Sequence, residues 1–67
     1  MNIVFLLVSG IFNVGQVDSV TNGFASIEYR DLKNDIAYID VSLQDAACKV
    51  SEGDTVIFNS QKIVDCL

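Results

Sequence analysis

The chain contains no histidine and no proline. Without histidine, the commonest general base near neutral pH and the commonest transition-metal ligand are both missing. Cations are nearly as scarce. Arg30, Lys33, Lys49 and Lys62 stand against nine acids, for a net charge of −5 and a pI of about 4.1. A phosphate backbone is repelled by such a chain, so nucleic-acid binding is excluded. The acids are scattered singly from Asp18 to Asp65 and form no run, so they read as solubilising charges and not as a mimic of DNA. Two cysteines are too few for a zinc site. Cys48 and Cys66 either close one loop or remain as buried thiols that pack like small hydrophobes, and nothing else in the sequence argues for an oxidising compartment.

A long apolar run is also lacking. Ile3-Val4-Phe5-Leu6-Leu7-Val8 is six residues long, or ten if Ser9 to Phe12 are added, where a bilayer span needs about 20. No Lys or Arg precedes this run and no small-x-small cleavage site clearly follows it, so it does not read as a signal peptide. These absences point to a cytoplasmic protein without a membrane contact. There is no linker, low-complexity tract or internal repeat, and the 67 residues make a single domain, 1–67. At 51% hydrophobic residues and a mean hydropathy of +0.41, it is more apolar than so short a chain can bury, which implies apolar surface that meets another chain.

What is present is β-patterning. Phe24-Ala25-Ser26-Ile27-Glu28-Tyr29-Arg30 and Ile36-Ala37-Tyr38-Ile39-Asp40-Val41-Ser42-Leu43 alternate on either side of a polar loop, the pattern of a hairpin. Ala25, Ile27, Tyr29, Ala37, Ile39, Val41 and Leu43 share an apolar face; Phe24, Ser26, Glu28, Arg30, Ile36, Tyr38, Asp40 and Ser42 share the other. Asn22-Gly23 ahead of Phe24 is a strong hairpin signal, because both central residues of a type I′ turn need positive φ. Three strands therefore form a meander. Gly15 marks a bulge or tight curvature in the strand before it. Residues 2–8 read as a strand buried on both faces, which makes Phe5 and Leu7 candidates for a contact with a partner or a second subunit; the equal alternative is that the segment is simply a central strand or a helix start. Residues 44–49 tolerate one short helical turn, with Asp45 as its cap. Val56 to Phe58 and Lys62 to Cys66 are the last strands. The expected fold is all-β: a small five- or six-stranded antiparallel barrel, SH3-like or OB-like.

Gly15-Gln16-Val17, Ala25-Ser26-Ile27-Glu28-Tyr29, Ile39-Asp40-Val41-Ser42-Leu43 and Val50-Ser51-Glu52-Gly53-Asp54-Thr55-Val56-Ile57-Phe58 together resemble the HypC/HupF hydrogenase maturation chaperones over residues 15–66. The resemblance implies a small cytoplasmic β-barrel. That family works through a cysteine directly after the initiator Met, which takes part in carrying an iron centre. Here that position is Asn2, and the histidine after the Gly-Asp strand is Asn59. The resemblance thus implies the fold and not the activity.

No constellation of catalytic residues stands out. Cys48 has Lys49 beside it but no histidine base or oxyanion motif, and its packing as a buried residue is the simpler reading. Glu28 and Asp40 are expected to face each other across the hairpin as a carboxylate pair, but such residues are more often just a solvated face, and Arg30 is near enough to offset them. Asp31, Asn34 and Asp35 are oxygen donors without the glycine and donor order of a calcium loop, and turn chemistry accounts for them. The expected function is a non-catalytic protein–protein interaction module: an adaptor, assembly factor or inhibitor, of a character that suits a virus- or phage-encoded protein. Its partner-binding residues are Phe5, Leu7, Phe24 and Tyr38, with no metal and no cofactor. The alternative is a homo-oligomeric structural subunit that associates through its N-terminal apolar strand.

Overall fold

The computed structural model describes residues 12–67. Five strands form one antiparallel sheet: β1 (Asn13–Thr21), β2 (Phe24–Arg30), β3 (Ile36–Ser42), β4 (Thr55–Phe58) and β5 (Ile63–Cys66). Their order across the sheet is β3-β2-β1-β4-β5. The first three strands are the expected meander. Asn22 and Gly23 take φ of 54° and 81° between Thr21 and its partner Phe24, as the tight turn demands. In the next loop Asn34 takes φ of 65°, while the Asp31 carboxylate accepts bonds from the Lys33 and Asp35 amides at 2.9 Å each. That carboxylate is therefore occupied in closing the turn.

The alternation seen in the sequence becomes an inner and an outer face. Val17, Ala25, Ile27, Val41, Val56, Phe58 and Ile63 are buried on the inner face, and no polar or charged residue is buried among the described residues. Tyr29 meets Phe58 edge to face, with ring centroids 5.4 Å apart, a favoured aromatic geometry. Gly15 lies between their strands, paired to Tyr29 on one side and Val56 on the other. A Cβ at Gly15 would stand 2.5 Å from Cγ2 of Ile27 and 2.9 Å from Cε1 of Phe58. The glycine is thus required by close packing, and the bulge expected there lies further on, where the β1–β2 register shifts between Val17 and Ser19.

The connection from β3 to β4 must pass from one side of β1–β2 to the other, and it does so over the inner face. Leu43, Ala46, Cys48 and Val50 from this connection pack against the core. Backbone bonds hold it along its length: the Leu43 amide to the Gly23 carbonyl (2.8 Å), Ala47 to Ile63 (3.0 Å) and Gly53 to Val17 (2.8 Å). A disulfide joins Cys48 to Cys66 of β5, with the Cα atoms 6.1 Å apart. Of the two fates open to the cysteines, the structure takes the loop closure. It also replaces the helical turn expected at 44–49 with turns and bends. The reason is long-range: Ala47 gives its amide to the distant Ile63 carbonyl, and Cys48 is tied away from the local chain.

The sheet is not closed among the described residues, since β3 and β5 are its two edges. The shown architecture is therefore an open five-stranded antiparallel sheet under a crossing connection. The sixth strand expected at residues 2–8 lies outside the described residues.

Candidate interaction surface

Cross-strand register fixes what lies side by side on the outer face. One row holds Thr21, Phe24 and Ser42; the next holds Ser19, Ser26 and Asp40; a third holds Thr55, Gln16, Glu28 and Tyr38. Arg30 and Ile36 pair at the far end of the hairpin. Phe24 is 50% exposed and Tyr38 60% exposed. Both expected partner-binding aromatics thus stand on the solvent side, two rows apart, with Ser26 and Asp40 between them. That separation is about 13 Å along the strand. Ser19, Thr21, Asn22, Phe24, Ser26 and Asp40 line a shallow hollow at the Phe24 end. Phe5 and Leu7 lie outside the described residues.

The register corrects one expectation about charge. Asp40 faces Ser26 and Glu28 faces Tyr38, so the two carboxylates are diagonal neighbours and not a directly opposed pair. The Tyr38 hydroxyl donates a long bond to Oε1 of Glu28, 3.5 Å. The Glu28 carboxylate, followed by partial desolvation and the charge of Asp18, holds the Tyr38 hydroxyl above the ordinary tyrosine range. Asp18, carried by the bulge, therefore belongs to the same electrostatic neighbourhood. No cation shares these rows: Arg30 ends β2 and donates to the Asn34 carbonyl at 3.0 Å, and Lys33, Lys49 and Lys62 lie in connections between strands. The face combines half-exposed aromatics with the carboxylates of Asp40, Glu28 and Asp18, and its one cation, Arg30, stands at its far end, one row beyond Glu28 and Tyr38.

Among the described residues, no group of three or more His, Cys, Asp or Glu side chains is placed to hold a metal ion. Nor is any helix among them long and apolar enough to cross a membrane. Comparison with protein-family models, with characterised proteins and with solved structures finds no match.

Alternation was enough to find Phe24 and Tyr38. Register was needed to find their neighbours. That Asp18 influences Tyr38 has no local sequence signal, because it depends on where the bulge in β1 falls.

Proposed function

We propose that this chain is a non-catalytic interaction module that binds a protein through the outer face of its sheet, as an adaptor, assembly factor or inhibitor. The observation that carries this reading is the exposure of Phe24 and Tyr38 on an outer face that also bears the carboxylates of Asp40 and Glu28. Aromatic anchors supply binding energy at little entropic cost. The carboxylates select against acidic partners and nucleic acids. A self-assembling subunit is the alternative, and it rests on Phe5 and Leu7, outside the described residues. The Cys48–Cys66 disulfide favours an oxidising compartment over the cytoplasmic location expected from composition. Trapping thiols with an alkylating reagent in intact cells decides between the two.

The test is a double substitution, Phe24→Ser with Tyr38→Ser, in the full chain. Both positions are exposed, so the fold is retained, as circular dichroism will show. Loss of binding to a captured partner, by at least about tenfold in Kd, supports the outer face. Retained binding by the folded variant refutes it.

A further inference from the structure

The mode by which a partner joins this surface can be read from the β3 edge. This inference rests on the interaction-module reading and deepens it. The β2–β3 ladder is bracketed by two bonds, Asp31 amide to Asp35 carbonyl (2.9 Å) and Leu43 amide to Gly23 carbonyl (2.8 Å). Both fall on odd-numbered residues, and the register between them runs without a shift from Phe24↔Ser42 to Arg30↔Ile36. In an antiparallel pair, bonded and non-bonded residue pairs alternate. Ala37, Ile39 and Val41 therefore bond inward to β2, while the N–H and C=O groups of Ile36, Tyr38, Asp40 and Ser42 point out along the edge. Among the described residues no strand pairs there.

Edge strands in stable proteins are usually short, bulged, proline-bearing or marked by an inward-facing charge. β3 has seven residues, no bulge, no proline and no inward-facing charge; its one charged residue, Asp40, is on the outer face, and its inner-face side chains include the half-buried Ala37 and Ile39. We propose that β3 accepts an extended segment of a partner protein as a sixth strand, and that this segment alternates apolar with basic residues. The alternation follows from the pleat. Residues of the added strand opposite Tyr38 and Asp40 lie on the outer face, where Asp40, Glu28 and Asp18 supply negative charge without a cation in their rows. Their neighbours in sequence turn to the inner face, beside Ala37, Ile39 and Val41, and complete an apolar layer. A second copy of this chain fits poorly, because its net charge is −5 and its own β3 brings Asp40 again.

The experiment is calorimetric titration of the full, disulfide-bonded chain with synthetic peptides of about eight residues. The probe alternates valine and lysine; one control alternates valine and glutamate, and a second is the lysine peptide N-methylated at every other amide, in both phases. The expected result is binding of the lysine peptide, at least about tenfold weaker binding of the glutamate peptide, and loss of binding in one N-methylated phase but not the other. Asp40→Lys, at an exposed position, should weaken the lysine peptide and strengthen the glutamate one. Equal binding of both N-methylated forms overturns strand addition and assigns the contact to charge alone. If no peptide binds while Phe24→Ser with Tyr38→Ser still abolishes capture of a partner, strand addition is overturned and the outer-face reading stands. If the double variant also leaves capture intact, both fail.

Discussion

β5 is four residues long, meets β4 across a shifted register and is joined through Cys66 to the connection that crosses the core. β3 is seven residues long, is paired to β2 in unbroken register and has nothing beyond it among the described residues. The secured edge lies beside Val56, Phe58 and Ile63, which are all fully buried. The open edge lies beside the acidic, aromatic face. Both edges contribute to the core, β3 through Val41 and β4–β5 through Val56, Phe58 and Ile63, but only the β5 edge carries a covalent tie, and under the proposed function the β3 edge is the one left for a partner.

The largest effect should come from the secured side. Phe58→Ala removes the largest fully buried side chain and its contact with Tyr29, and should cost about 3–5 kcal/mol in denaturant unfolding. Removing the disulfide, by reduction or by Cys48→Ser with Cys66→Ser, frees a connection closed over a sequence separation of 18. That should cost about 3 kcal/mol, read as a lower unfolding midpoint under reducing conditions. On the open side, Ile39→Ala truncates a half-buried residue and should cost about 1 kcal/mol in the same assay. A loss at Ile39 equal to that at Phe58 would show that the two sides share the core evenly and would break the contrast. Asp40→Asn, exposed and without a cation opposite, should change stability by no more than about 0.5 kcal/mol.

The smallest signal is the titration of Tyr38. Its pKa is raised above the ordinary 10.0 by Glu28 first, then by desolvation and Asp18. Because folding raises this pKa, the associated stability is complete below 10.0 and is lost as the pH climbs through the higher folded value. Ultraviolet titration of tyrosinate should show Tyr38 ionising late, a component that is absent in Tyr38→Phe and whose midpoint falls in Glu28→Gln. An unchanged midpoint in Glu28→Gln would show that the carboxylate does not govern this hydroxyl.

Much of the hairpin was legible because its information is local. Alternation placed Ala25, Ile27 and Val41 inside and Phe24 and Tyr38 outside, and Asn22-Gly23 announced its turn. The rest depends on contacts between residues far apart in the chain. Residues 44–49 tolerate a helical turn, yet Ala47 is claimed by Ile63 and Cys48 by Cys66. Gly15 reads as a bulge or tight curvature, whereas the close approach of Ile27 and Phe58 that requires it comes from strands distant in the chain. Which strands end the sheet, and that Glu28 opposes Tyr38 while Asp40 opposes Ser26, follow from register alone. A barrel was expected from the spacing of turns, but spacing does not say whether the first and last strands meet.

The covalent tie between Cys48 and Cys66 also governs how the molecule answers to proteases. Ser51, Glu52 and Gly53 form an exposed turn inside the segment that the bond closes. A single cut there opens the backbone but leaves two polypeptides joined as one particle, with β4 and β5 on one of them. The cleaved form would run as intact material on a denaturing gel until a reductant is added, so digestion of this protein has to be followed under reducing conditions to be seen at all.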